Sequence, residues 1–204
     1  MADYDFAKIE KKLSKYLDED RFQHTMGVMY TSACLAMVHG YDIKDAQVSG
    51  LLHDCAKCIP NKKKLKMCSE HNIPVSDFER SHPFLLHSRL GAYIAHEKYG
   101  IDDQEILSAI NYHTTGRREM SLLEKIIYIA DYIEPMRYKA SRLPEIRKLA
   151  FEDLDECMYE ILKDTLEYLE ENPKEIDSTT RDAYVYYKEL HDRKMQDAAN
   201  RQED

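Results

Sequence analysis

The chain has 204 residues, 43% hydrophobic and 33% charged, with six Gly, six Pro and no Trp. That length buries a sizeable core, and the balance excludes a disordered or fibrous chain. A formal net charge of −9 looks unfavourable for binding phosphates until it is located: residues 151 to 172 hold nine Asp or Glu and one Lys, leaving the rest of the chain at −1.

The N-terminus lacks a basic and apolar leader, and no apolar run approaches the roughly 18 residues of a membrane span. Five cysteines, an odd number, fit reduced thiols better than a disulfide framework. A cytoplasmic protein is expected.

Phe6, Ile9, Leu13 and Leu17 recur at helical spacing and predict a first amphipathic helix over 6–17. Asp20 opens a longer helix whose core stripe is Phe22, Met26, Met29, Ala33 and Met37, with His24 beside that stripe and His39-Gly40 as the stop. A third helix, about 44–56, carries Leu51-Leu52-His53-Asp54 at its C-terminal end. An ionised carboxylate after an apolar run is costly to bury unless a cation or hydrogen bonds compensate. Imidazole beside carboxylate is also the donor set a first-row divalent metal prefers. Neighbours on a helix point about 100° apart, so an ion shared by His53 and Asp54 would sit between helices. Lys57, three residues on, could reach a bound phosphate.

Residues 58–80 read as a connecting excursion with a short Lys-rich helix and a break at Pro74. Lys57, Lys62, Lys63, Lys64 and Lys66 make either a local field for an anionic substrate or a solvated turn. Cys55, Cys58, Cys68 and His71 spell C-x2-C-x9-C-x2-H, a spacing that admits a structural zinc knuckle. Buried free thiols fit better, because lysines would crowd the same space.

Ser81-His82-Pro83 precedes a helix to about Tyr99, in which Phe84, Leu85, Leu86, Leu90, Ala92, Tyr93, Ile94 and Ala95 form an apolar body around His87. The next helix, Asp102 to Tyr112, stops at His113-Thr114-Thr115-Gly116, where the histidine either serves a site or complements the helix dipole. Ser121 and Glu124 form a capping box for the helix that runs through Ile126-Ile127-Tyr128-Ile129-Ala130 into Asp131 and ends at Pro135. Arg137, Lys139 and Arg142 follow it. A long amphipathic helix with a solvated acidic face is expected from Pro144 to Leu169, broken at Asn172-Pro173. Asp177-Ser178-Thr179-Thr180 then caps a last helix, frayed beyond Gln196. Such a start is either a plain cap or an anion or ribose site. No strand, repeat, Gly-rich phosphate loop or long linker is evident. One all-α bundle over 1–204 is expected, with a metal-site core at about 18–135 and helices at about 144–200 completing it.

The candidates therefore run His24, His53-Asp54, His87, His113, Asp131. With Arg21-Phe22-Gln23-His24-Thr25, His53-Asp54-Cys55-Ala56-Lys57, Tyr112-His113-Thr114-Thr115-Gly116-Arg117 and the run from Leu122 to Pro135, the chain resembles the HD-domain metal-dependent phosphohydrolases. Within them it is most similar to the YqeK-like symmetrical diadenosine tetraphosphate hydrolases. The resemblance implies that His24, His53, Asp54 and Asp131 hold a divalent transition metal of the iron type. Asp54 would bridge, and His87 and His113 would face the substrate phosphates or hold a second ion. It implies cleavage to two ADP, with Asp54, Lys57, His87 and His113 catalytic. Arg21, His53, His87, His113, Thr114 and Arg137 would surround the nucleotide, together with Ile176, Asp177, Ser178, Thr179, Thr180 and Arg181. The implied partner is a dinucleoside polyphosphate, without nucleic acid or membrane, and a homodimer is left open. Cys55, Cys58 and Val185 depart from the family pattern.

The chemistry agrees: phosphoanhydride hydrolysis at neutral pH needs an activated water and cations for the developing charge. His-rich ligation favours iron, manganese, cobalt or zinc over magnesium. Two other readings stay open. The same fold could act on a dNTP, a nucleotide monophosphate or a cyclic nucleotide, or it could bind nucleotides without turnover. Six intact candidate ligands argue against the second.

Overall fold

Many helices of this protein begin at a short polar side chain, and two of them end at a glycine. In the computed structural model, which describes residues 4–140, 142–171 and 175–201, eleven α-helices and one 3-10 turn follow one another, with no strand among the described residues. They are α1 (Phe6–Leu13), α2 (Glu19–His39), α3 (Ile43–Leu52), α4 (Asn61–Glu70), α5 (Asp77–Ser81), the 3-10 turn Pro83–Leu85, α6 (Leu86–Tyr99), α7 (Gln104–Tyr112), α8 (Leu122–Ile133), α9 (Leu143–Ala150), α10 (Leu154–Glu171) and α11 (Ser178–Asn200). Asp18, Asp42, Asp103 and Asp177 each accept a backbone N–H in the first turn of α2, α3, α7 and α11, satisfying donors that a helix start leaves orphaned. Gly40 closes α2 at φ 74°, a left-handed conformation that an L side chain resists.

Helices α2, α3, α7 and α8 pack on one another as the centre of the bundle, α6 lies on α7, α10 covers α8, and α11 lies on α10. Leu35, Leu51, Leu52, Ile106, Ile110, Leu123, Ile126 and Ile127 are fully buried between them. Gly50 sets how closely α3 approaches α2: a Cβ there would lie 3.0 Å from Met29 Cα and 2.9 Å from Ser32 Oγ. That approach brings His53, one turn later, towards His24.

Several boundaries differ from those expected. The first helix stops at Leu13, and Leu17 is buried from a following turn. On α2 Met37 is 60% exposed, and the buried face holds His24, Val28, Ser32 and Leu35. The helix is turned so that His24 belongs to the buried face rather than its margin. Phe84 is likewise exposed. The long helix from Pro144 is two helices, because Asp153 accepts from Glu156 N at 3.0 Å and starts a new one. The acidic face of α10 is not simply solvated: Asp155 pairs with Lys125 at 2.8 Å, and Glu160 and Asp164 with Arg142 at 2.7 and 2.9 Å. Helix α11 continues to Asn200, whereas Asn172-Pro173 lies outside the described residues.

The Ser121–Glu124 capping box forms as expected, and Glu124, 1% exposed, also meets Ser108 Oγ and the Arg117 guanidinium, with Nε at 3.0 Å and Nη2 at 2.8 Å. This ties the loop after α7 to the start of α8. Truncating one partner of a buried pair leaves the other charge uncompensated. Arg117 is itself 35% exposed and Glu124 keeps its bonds to Ser108 and Ser121, so Arg117→Ala is expected to cost about 1–2 kcal/mol, read as a lower urea midpoint with an unchanged slope.

Candidate metal centre

Three histidines sit at or just past helix turns where each Nδ1 lies against the carbonyl three residues earlier. His53 faces Gly50 O at 2.7 Å, His87 faces Phe84 O at 2.6 Å and His113 faces Ile110 O at 2.7 Å. A carbonyl only accepts, so Nδ1 carries the proton and Nε2 is left as a bare lone pair. The fourth, His24, faces the Glu134 carboxylate at 3.0 Å in the same way. Local backbone geometry thus selects one tautomer three times, and the Glu134 side chain selects it a fourth, the form that ligates metals through Nε2.

Those Nε2 atoms converge on two carboxylates. Asp54 Oδ2 lies 3.6 Å from His53 Nε2 and 3.9 Å from His24 Nε2, while its Oδ1 lies 3.2 Å from His87 Nε2 and 3.5 Å from His113 Nε2. Asp131 Oδ1 lies 3.1 Å from His24 Nε2 and 4.0 Å from His53 Nε2. Two sets, His24-His53-Asp131 and His53-Asp54-His113, have ligand atoms within 4.8 Å of one another. His24 Nε2, His53 Nε2 and Asp54 Oδ1 are buried without a hydrogen-bond partner. Buried orphaned acceptors cost several kcal/mol unless something fills the space between them. His87 Nε2 and His113 Nε2, both lone pairs, lie 3.1 Å apart, and that repulsion also calls for a cation. The donor set fits a divalent metal.

Cations surround the cluster. Lys57 Nζ is 3.1 Å from His87 Nε2 and 3.6 Å from Asp54 Oδ1, Arg21 Nη1 is 2.8 Å from Asp54 Oδ2, and Arg137 Nη2 is 2.5 Å from Asp131 Oδ1. Thr114 Oγ1 is 3.1 Å from both His87 and His113 Nε2. Burial alone would raise the Asp54 and Asp131 carboxyls; the positive charges beside them, the Lys57 ammonium at Asp54 and the Arg137 guanidinium at Asp131, pull the other way, and both carboxyls lie well below the usual range. Burial pushes His53 down to about 3 and His87 down to about 4, against the pull of Asp54.

Both imidazoles are therefore neutral in the fold and take up protons on unfolding once the pH falls below 6.5. The metal-free protein is expected to hold its full stability above that pH and to lose roughly 1.4 kcal/mol per pH unit per histidine below it. The loss runs down to about pH 4 for His87 and about 3 for His53. The two aspartates add to it in the same direction at lower pH. Thermal melts of chelator-treated protein from pH 7.5 downwards test this, and a flat profile contradicts it.

Comparison with known proteins points the same way. The sequence model of the HD domain family matches residues 21–136, which span every histidine and carboxylate of the cluster. The chain belongs to the HD domain family. A relative from Bacillus subtilis (strain 168), named symmetrical bis(5'-nucleosyl)-tetraphosphatase, is 40% identical over 77% of this chain and 83% of its own length. A Staphylococcus aureus (strain NCTC 8325 / PS 47) protein of the same name is 36% identical over 87% of this chain and 92% of its own. A Clostridium acetobutylicum crystal structure, described as a predicted HD superfamily hydrolase involved in NAD metabolism, superposes with a TM-score of 0.88 at 38% identity, over 93% of this chain and all of the other. An HD domain implies a divalent metal site, and the orphaned donors are consistent with one.

This HD domain gathers all six candidate ligands, although His53 and Asp54 follow the last turn of α3 instead of lying on a helix ending at Ala56. Lys57, Thr114, Arg21 and Arg137 reach the cluster. Residues 176–181 do not bond to it: Asp177 accepts from Thr179 N at 2.8 Å, as a cap does. Ala183 of the same helix would lie 3.5 Å from a Cβ on Gly116, so α11 rests on the loop that follows His113.

The zinc knuckle does not assemble, and each donor group with metal-ligand spacing among the described residues contains His53. Cys55 Sγ donates to Gly91 O at 3.4 Å, Cys58 Sγ to Asp18 Oδ2 at 3.3 Å, and His71 Nδ1 bonds the Tyr93 hydroxyl at 2.9 Å. Cys55 and Cys68 are buried thiols, but Cys58 is exposed. Lys64 is 3% exposed, so the lysine run is not wholly solvated. Glu134 is the contact that sequence reasoning missed. Its place three residues after Asp131, one helical turn, was the available signal.

Proposed function

We propose that this HD domain is a metal-dependent symmetrical bis(5'-nucleosyl)-tetraphosphatase that hydrolyses diadenosine tetraphosphate to two ADP. The observation that carries the reading is Asp54: one oxygen faces His24 and His53, the other faces His87, His113 and Lys57. A carboxylate in that position can serve two neighbouring cation sites. The names of the relatives supply the substrate class.

His24, His53, Asp54 and Asp131 would hold the first ion, with Asp54, His87 and His113 available to a second. Imidazole and carboxylate together suit first-row transition metals better than magnesium, and among these the family resemblance favours iron. When bound, the ion supplies Lewis acidity and a water acidified towards neutral pH. The chain's own residues then position and neutralise the substrate. Lys57, Arg21 and Arg137 bind the phosphate oxygens, and Thr114 hydrogen-bonds beside His87 and His113. Residues 176–181 lie along the nucleoside. The water oxygen bonds to one middle phosphorus, its bond to the central bridging oxygen breaks, and one ADP leaves with that oxygen while the other keeps the water's. A released proton goes to solvent.

A reducing, cytoplasmic setting suits five free thiols, and no helix among the described residues is long and apolar enough to cross a membrane. The test is turnover of diadenosine tetraphosphate by metal-depleted protein resupplied with iron(II), manganese or zinc, with products separated by ion exchange. ADP alone is expected. AMP plus ATP would move the attacked phosphorus and overturn symmetrical cleavage. No turnover with any metal would overturn the activity.

A further inference from the structure

We infer that Glu134 is a positioning residue that holds the His24 imidazole for the metal and ties it to the loop bearing Arg137. The inference rests on the metal reading above. Glu134 is the last residue before Pro135 and caps α8 in an extended conformation, ψ 155°, as a residue preceding proline must. It is nevertheless 1% exposed, and a buried carboxylate is expensive unless both oxygens are occupied. Both are. Oε1 accepts from His24 Nδ1 at 3.0 Å, and Oε2 accepts from Met136 N at 2.6 Å. Its backbone oxygen takes Arg137 N at 3.0 Å and Arg147 Nη2 at 3.0 Å, and the same Nη2 reaches Arg137 O at 2.9 Å. One residue thereby sets both a ligand's ring and the backbone on which Arg137 is carried.

Helix α2 is built to admit this carboxylate. Gly27, one turn after His24, faces it: a Cβ there would lie 2.5 Å from Glu134 Oε2 and 3.2 Å from its Cδ. No other side chain fits without displacing Glu134. A carboxylate on the far nitrogen of a ligating imidazole fixes ring orientation and raises donor strength, and its loss lowers metal affinity about 10–100-fold. Glutamine has one acceptor oxygen where Glu134 serves two donors, so Glu134→Gln turns an amide N–H towards one of them.

The test is competition for cobalt(II) between the full-length protein and a chelator of known affinity, with the visible cobalt spectrum recorded for each variant. Glu134→Gln is expected to loosen cobalt about 10–100-fold and to shift its bands. Glu79→Gln, a buried carboxylate bonded instead to Arg89, is expected to change neither. Gly27→Ala, which keeps Glu134 but pushes it aside, should move affinity and spectrum in the same direction and decides the matter if Glu134→Gln does not fold. Wild-type affinity and an unshifted spectrum in Glu134→Gln, or in Gly27→Ala where that variant decides, would overturn the inference while leaving the metal reading intact. Failure of the wild-type protein to bind cobalt would overturn both.

Discussion

Asp54→Ala is expected to lose bound metal and at least about a thousandfold in turnover together, a loss at the upper end of that for removing one preorganised charge-stabilising group. The two oxygens of this side chain lie 3.2 to 3.9 Å from four imidazole nitrogens, and Oδ1 is 3.6 Å from the Lys57 ammonium. No other carboxylate among the described residues joins the His24 and His53 pair to the His87 and His113 pair. Asp131 stands near His24 and His53 only. Metal content by atomic absorption and kcat on diadenosine tetraphosphate, measured on the same preparation, check the result. Full activity in this variant would sink the mechanism, whatever the identity of the native metal.

Arg137→Ala is expected to do something different: metal retained, kcat/KM down by about 10²–10³. Its guanidinium bonds Asp131 twice, to the carboxylate at 2.5 Å and to the backbone oxygen at 2.9 Å, yet the side chain is 41% exposed. The exposed part is free to meet a phosphate. Arg137→Lys should recover only part of the loss, because an ammonium is a point charge without the planar fork that binds two oxygens at once. If Arg137 only steadied Asp131, its removal would instead lower metal content and leave the rate per bound metal unchanged. The two measurements separate these roles.

Much of this was legible in the chain. An aspartate after Leu51-Leu52-His53, and another after Ile126 to Ala130, could be buried only at a cost that a cation repays; both lie at the cluster, Asp54 fully buried and Asp131 with its side chain 20% exposed. Capping signals located helix starts well, as at Ser121 and Asp177, because a cap is a bond between residues two or three apart. Where the reading failed, a longer-range effect had won. Met37 satisfied helical spacing but faces solvent, since the packing of α3 and α8 on α2 chose which of two plausible faces to bury. The helix from Pro144 was one continuous pattern until the Asp153 cap divided it. The cysteine and histidine spacing fitted zinc, but spacing cannot say whether four donors turn towards one point.

The sequence alone determined the helical class and the six candidate ligands in their order, because helical periodicity, caps and residue types are local properties of the chain. Convergence was decided by the tertiary structure. The role of Glu134 depends on residues 110 positions apart in the chain, and on a glycine whose missing Cβ matters only once α2 and α8 are packed together. Steric fit between segments far apart in sequence carries no periodicity and no local hydrogen bond, so the linear pattern set Glu134 one turn after Asp131 but could not announce its pairing with His24.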